Sequence, residues 1–243
     1  MRAPEQLGPY RYTQSDTSFP LGQDSLALAS FATLRRGDRV CDLGCGGGAL
    51  LLLLAARQST LTLSGVELSP EDSALARRNL SENGLTGEIY TGDIRRVCKT
   101  LPAGGFSLVI SNPPYFKAGS GGDGGTARME EAALTDWCAA AGRLTKNGGR
   151  FALVHRPERL TELFLALSRS GLEPKRLQLI QHDAHTPPSA VLVEAVRQGR
   201  PGLEVLPTLL MNRRQSYGRH FISGTHPHRQ PGGHLPADGG HSG

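Results

Sequence analysis

The stretch RVCDLGCGGGALLLLLAARQ, residues 39–58, narrows the possible folds more than any other part of the chain. A short apolar run passes through an acid into a turn with glycine at 44, 46, 47 and 48, then into an apolar segment long enough for a helix. That reads as a strand entering a buried helix through a turn tight enough to favour residues without side chains. The same rhythm repeats downstream. LTLSGVEL (61–68) alternates as a strand, and Ser69, Pro70 and Glu71 open a helix that runs to about Asn83, where Gly84 stops it. GEIYTGD (87–93) and FSLVIS (106–111) are predicted as the third and fourth strands, with a short helix over 94–101 between them. A helix over 129–145, broken by NGG, leads to a fifth strand at 150–155. PERLTELFLALSRSG begins with Pro and ends with Gly, as helices prefer, and PKRLQLIQ and SAVLVEAVR are late strands that suit an antiparallel pair on the sheet edge. Alternating strands and helices with short links predict an α/β fold, mostly parallel and with right-handed crossovers.

The flanks are different in character. Residues 1–23 are polar with Tyr10, Tyr12 and Phe19, and read as an arm or a short hairpin. Asp24 is placed to cap an amphipathic helix, and the α/β domain is expected over 24–212. The segment 213–243 is basic at first and then rich in Gly, Pro and His, with disorder expected from about 223. The longest apolar run, 49–56, is too short for a bilayer, and the first residues contain no apolar signal core. Four cysteines lack paired spacing and offer no metal-ligand set, so the expectation is a reducing, cytoplasmic protein with no metal site. A net charge of +5, carried by 23 Arg and only 4 Lys, permits a polyanionic partner without requiring one.

In parallel α/β sheets the ligand crevice lies beyond the carboxyl ends of the strands. DLGCGGG, VEL, GDI and SNPPY each end one of the first four strands, so they are expected to face one cleft. Gly44, Gly46 and Gly48 let a ligand approach the backbone closely, and the helix after them offers N–H groups. Glu67, with Leu68 beside it, lies 25 residues after Asp42, where a carboxylate accepts hydrogen bonds from ribose hydroxyls. Asp93 is placed to accept from the amino group of an adenine with Ile94 against the ring, and it also suits a helix cap. Asp42 itself would repel a pyrophosphate but suits a ligand carrying an ammonium or sulfonium group. The glycine pattern G-x-G-G-G after an acid also differs from the nicotinamide fingerprint G-x-G-x-x-G.

The fourth strand stops abruptly in Asn112-Pro113-Pro114-Tyr115. An exocyclic amine of a nucleobase is a poor nucleophile, because its lone pair is delocalised into the ring. Two oxygen acceptors aimed at its hydrogens, the Asn112 side-chain carbonyl and the Pro113 backbone carbonyl, would draw electron density onto the nitrogen. The proline pair restrains those acceptors, and Tyr115 offers a ring on which a base stacks.

Over residues 20–200 these groups together resemble the class I S-adenosylmethionine-dependent methyltransferases, which implies the Rossmann-like fold of that class. The expected sheet has seven strands, mostly parallel, with an antiparallel edge strand. S-adenosyl-L-methionine is the implied cofactor, held by Asp42, Gly44, Gly46, Gly48, Glu67, Leu68, Asp93, Ile94 and Asn112. NPPY is similar in enzymes acting on adenine N6, on guanine N2 and on a glutamine side-chain amide, so it implies the reaction type rather than the acceptor. YRYTQSDTSFPLGQDSLALASF (10–31) and ARMEEAALT (127–135) resemble the tRNA adenine-N6 methyltransferase family that modifies position 37 of a valine tRNA. That resemblance implies RNA, above all tRNA, as the partner. It also implies that Asp24 lines the cofactor cleft and that Arg128 and Glu130 order the substrate loop. Guanine in rRNA, adenine in DNA and protein glutamine stay open as acceptors, as does a non-catalytic RNA-binding module. The glutamine enzymes carry a helical domain before the glycine loop, for which about 40 residues leave no room. Arg35, Arg36, Arg39, Arg213, Arg214 and Arg219 are candidates for phosphate contacts.

Overall fold

The structure, a computed structural model, describes residues 4–15, 21–113 and 124–211, with side chains from 134 onward in the last stretch. A hairpin of β1 (Glu5–Leu7) and β2 (Tyr10–Tyr12) precedes α1 (Gln23–Phe31). β3 (Arg39–Leu43), α2 (Ala49–Arg57), β4 (Thr62–Glu67), α3 (Pro70–Glu82), β5 (Gly87–Thr91), α4 (Ile94–Thr100) and β6 (Phe106–Ser111) then alternate. They are followed by α5 (Gly124–Leu144), β7 (Thr145–His155), α6 (Leu160–Arg169), β8 (Leu172–Gln181) and β9 (Ala190–Arg197). Two short strands, β10 (Glu204–Val205) and β11 (Leu209–Leu210), come last.

The main sheet runs β10-β8-β9-β7-β6-β3-β4-β5, with β11 also paired to β8. Strands β3 to β7 are parallel to their neighbours among themselves. The antiparallel strand on the other side of the sheet is β9, held between β7 and β8, with β10 and β11 outside it. Central parallel strands are buried on both faces, which is why they read as continuous apolar runs. Alternate residues serve the two faces. Val40, Leu108, Ile110, Ala152 and Leu192 pack with α1, α2 and α3, whereas Cys41, Leu43, Val109, Leu153 and Val193 pack with α4, α5 and α6. Leu50 to Leu54 of α2 are all buried, each contributing about 1.5–3 kcal/mol of transfer free energy.

Three local readings change. Asp24 does not cap α1: the cap is Gly22, in extended conformation with no side-chain bond, and Asp24 lies inside the first turn. The helix begins two residues earlier because glycine accepts the cap position at little cost. The NGG group does not separate a helix from a strand. β7 starts at Thr145 directly after α5, and its register with β6 shifts across this segment, where Gly148 takes a positive φ of 71°. Finally, α5 begins at Gly124 rather than near 129.

One end of α1 is firmly held. Its last carbonyls, on Ala29 and Ala32, accept from Arg57, and Arg176 donates to the Phe31 carbonyl while lying over the Phe31 ring. Buried Glu194 of β9 accepts from the Thr33 N–H at 2.8 Å and from its hydroxyl at 2.7 Å, and pairs with Arg176. Charge-assisted bonds of this kind fix geometry as well as add stability. They make α1 a rigid mount for whatever its other end presents.

Candidate active site

The sheet brings four strand ends together. β6, β3, β4 and β5 are adjacent and parallel, so Asn112, the glycine turn, Glu67 and Asp93 lie along one edge. The register adds detail. Asp42 pairs with Ile110, so Asn112, two residues further, stands level with Gly44. Ser111 ties the two strand ends, its hydroxyl donating to the Leu43 carbonyl at 2.8 Å.

The glycine turn is built from both sides. The N–H groups of Gly44 and Cys45 both donate to the Val66 carbonyl, extending the pairing with β4. Glu67 accepts from the Gly46 N–H at 2.8 Å with one oxygen and from the Ser69 N–H at 2.9 Å with the other. Each carboxylate oxygen has two acceptor positions, so Glu67 holds the turn and keeps capacity for hydroxyl donors. Leu68, just beyond it, is 68% exposed. Gly44 has φ +72°, and a Cβ there would lie 2.7 Å from Trp137 Cη2 on α5. A Cβ on Gly46 would meet nothing within 4 Å, so that side of the turn borders open space. Gly44→Ala is therefore expected to displace Trp137 and weaken cofactor binding by tenfold or more. Trp137 is the one tryptophan of the chain, so its fluorescence during a cofactor titration reports both effects. An unchanged spectrum and affinity would count against this packing.

Asp42 has the most unusual environment. It is 1% exposed, and neither carboxylate oxygen has a hydrogen-bond partner among the described residues. Burial, with Glu67 adding repulsion, pushes its carboxyl well above the usual range. Asp93 differs. It caps α4 through the Arg95 N–H at 2.8 Å, and the Arg95 guanidinium engages both of its oxygens. Those bonds hold its carboxyl down to about 2. Ile94 is half-buried against the lower core. An amine reaching Asp93 has to share it with Arg95.

Asn112 is half-buried, and its amide nitrogen donates to the Ser25 hydroxyl of α1 at 2.9 Å. Pro113 is buried, whereas Pro114 and Tyr115 lie outside the described residues. His155, level with Pro113 on β7, is kept neutral at physiological pH, its pKa lowered to about 4 by burial first and by Arg159 second. Asp24 sits next to Ser25, and its carboxyl is raised by burial and partly relieved by His182. The side chains of Arg128 and Glu130, and the residues Arg213, Arg214 and Arg219, are outside the described residues. Arg35, Arg36 and Arg39, the candidates for phosphate contacts, are among the described residues. They stand before and at the amino end of β3, across the sheet from the strand carboxyl ends, so they do not line this cleft.

The hairpin covers the glycine turn. Asn79 of α3 is fully buried and does three jobs: it accepts from the Thr13 N–H at 3.0 Å and donates to the carbonyls of Thr13 and Gly47. Asn83, one turn on, exchanges a pair of bonds with the Arg11 backbone. Tyr12 packs over Gly47, and burial raises its phenol to about 12. Sequence reasoning missed Asn79, although a polar residue between Ala76 and Leu80 on a buried helix face was a usable signal. Asn79→Ala strands three backbone partners, and a loss of about 2–4 kcal/mol is expected, at about 1 kcal/mol or more for each. Urea unfolding measures it, and a midpoint within error of the parent would refute this assignment.

S-adenosylmethionine fits these residues. An unpaired buried carboxylate calls for a cation, and the turn leaves room beside Gly46. Residues 21–167 match the methyltransferase small domain family. A tRNA1(Val) (adenine(37)-N6)-methyltransferase of Dickeya chrysanthemi is 31% identical over 196 residues, 76% of this chain and 76% of that protein. Among solved structures, a predicted O-methyltransferase from Agrobacterium tumefaciens superposes with a TM-score of 0.65 at 28% identity, covering 77% of this chain and 87% of that one. A Pyrococcus furiosus methyltransferase shares the fold with a TM-score of 0.59 at 18% identity, over 77% of this chain and 89% of its own. Fold and site define a class I S-adenosylmethionine-dependent methyltransferase. Within that class the chain belongs to the methyltransferase small domain family, in the group with the tRNA1(Val) (adenine(37)-N6)-methyltransferases.

Proposed function

We propose that this enzyme methylates the exocyclic N6 of an adenine in tRNA, at an anticodon-loop position of the adenine-37 type. The observation that carries the reading is Asn112, level with the glycine turn, its amide N–H₂ committed to Ser25 and its carbonyl oxygen left as the acceptor. The relatives named for tRNA adenine methylation support the acceptor.

When bound, S-adenosylmethionine supplies an electrophilic methyl on a sulfonium. Asp42 would hold its cationic end, Gly44, Gly46 and Gly48 would admit it to the backbone, and Glu67 with Leu68 would receive the ribose. Asp93 and Ile94 would receive the adenine of the cofactor, Asp93 sharing its oxygens with Arg95. Asn112 and the Pro113 carbonyl accept the two amine hydrogens of the target base, which raises density on the attacking nitrogen. Pro114 and Tyr115, outside the described residues, are assigned the roles of restraining that backbone and stacking the base. An anticodon-loop purine is unstacked at lower cost than one in a duplex, and it has to be extruded to reach these acceptors. No strong base is needed, since the proton leaves to water after transfer; positioning supplies most of the rate. The catalytic unit is residues 24–212, and the setting we infer is the cytoplasm. Among the described residues no helix is long and apolar enough to cross a membrane.

The test is transfer of labelled methyl to total tRNA, followed by nucleoside analysis. N6-methyladenosine in the digest is the expected product. Label found only in guanine, in DNA or in protein would overturn the proposed acceptor.

A further inference from the structure

We propose that Ser25 is a positioning residue that fixes the plane of the Asn112 amide against the substrate amine. The inference rests on the functional reading above and goes beyond it. A terminal amide torsion is broad and nearly two-fold, so exchanging the oxygen and nitrogen of Asn112 costs little by itself. The two orientations have opposite chemistry. A carbonyl facing the amine accepts its hydrogens and activates it, whereas an N–H₂ facing the amine meets another donor and repels it. The NPPY group alone does not restrain that torsion.

Three observations place the restraint on Ser25. Its hydroxyl oxygen receives the Asn112 N–H₂ at 2.9 Å, which spends the donor end of the amide on the protein. Ser25 is 8% exposed, so water does not compete freely for that bond. The helix that carries it is fixed at the other end by Arg57, Arg176 and Glu194, so the hydroxyl is presented by a rigid element. Asp42 and Asn112 both follow the β3 and β6 residues that face α1, which is why a residue of α1 reaches the site. Supporting groups of this sort hold a reacting side chain within tolerance.

The experiment compares the full-length enzyme with Ser25→Ala, Ser25→Thr, Asn112→Ala and the double variant Ser25→Ala/Asn112→Ala. Ser25→Ala is expected to lower kcat by about 10- to 100-fold, the range that misplacing a reacting group produces. The KM for tRNA, the cofactor dissociation constant and the thermal midpoint should stay close to the parent. Ser25→Thr keeps the hydroxyl and should recover most of kcat. In the Asn112→Ala background, Ser25→Ala should cost less than a further twofold, because its effect passes through a group no longer there. The ¹⁵N-labelled protein gives a readout independent of the RNA acceptor. The side-chain N–H₂ signals of Asn112, identified by their loss in Asn112→Ala, should shift and exchange faster in Ser25→Ala. Unperturbed signals, or kcat within twofold of the parent, would overturn the role of Ser25 while leaving the methyl-transfer reading intact. Equal losses in kcat and cofactor affinity, or no rescue by Thr, would also overturn it in favour of a general packing role. Failure of the parent enzyme to methylate adenine, with the amide signals responding as described, would reject the acceptor and leave the positioning inference standing.

Discussion

Asn112→Ala is expected to lower kcat by about 10²–10³-fold, the cost of removing one preorganised acceptor or donor from a transition state. Cofactor affinity should change by less than about threefold, because Asp42, Glu67 and the glycine turn remain in place. The separation matters more than the size. A residue that only ended the strand would lower stability and binding together, whereas an acceptor for the amine affects kcat alone. Asn112→Asp sharpens the comparison. It keeps an acceptor but places a second negative charge near Asp42, and should fall between the parent and the Ala variant. Single-turnover transfer with saturating cofactor measures all three. A kcat for the Ala variant within a few-fold of the parent would remove Asn112 from the chemistry.

The second large effect concerns Asp42. Its carboxyl is displaced upward by burial, with Glu67 contributing, and no hydrogen bond among the described residues offsets the displacement. Below the unfolded value of about 4 both states carry the proton and the group has no effect on stability. As pH rises above that, the unfolded chain loses its proton first while the folded protein retains it. The folded state therefore loses stability progressively until pH passes the raised value. Asp42→Asn cannot ionise and escapes this loss. The variant is expected to melt higher than the parent without ligand at neutral pH, by about 2–4 °C per kcal/mol for a domain of this size. The gap should widen as pH rises above about 4 and level off once the raised value is passed. With S-adenosylmethionine the order reverses, because the charge that destabilises the free protein attracts the cofactor's cationic end. A loss of about 10- to 100-fold in affinity is expected for Asp42→Asn, the range of one charged hydrogen bond. Melting curves at several pH values, with and without cofactor, test both halves; a gap that does not vary with pH would refute the first.

Much of this was legible beforehand because it is local. Ser69 caps α3 through the Asp72 N–H, with Pro70 in the first turn, and such signals span three residues. The four strand-end groups could be gathered into one place because parallel topology follows from the alternation of elements. What escaped the sequence depends on contacts between distant segments. Ser25 and Asn112 are 87 positions apart, and nothing in QDSLALASF marks its serine for the end of β6. Trp137 against Gly44 is equally hidden. The place of Arg35, Arg36 and Arg39 at the amino end of β3 was hidden for the complementary reason: charge is visible in a sequence, but the end of the sheet on which it falls is not. The strands β10 and β11, two residues each, are too short to show any alternation.

The anchoring of α1 has a consequence for how this part of the chain can diverge. Arg57, Arg176 and Glu194 grip one end and the Asn112 amide meets the other, so the number of residues between Ser25 and Thr33 works as a gauge block. One residue inserted there would turn the hydroxyl by about 100° around the helix axis and lift it by about 1.5 Å. Substitutions within the span act through packing, since Ala27, Leu28 and Ala29 are buried, whereas a change in its length acts on the site itself.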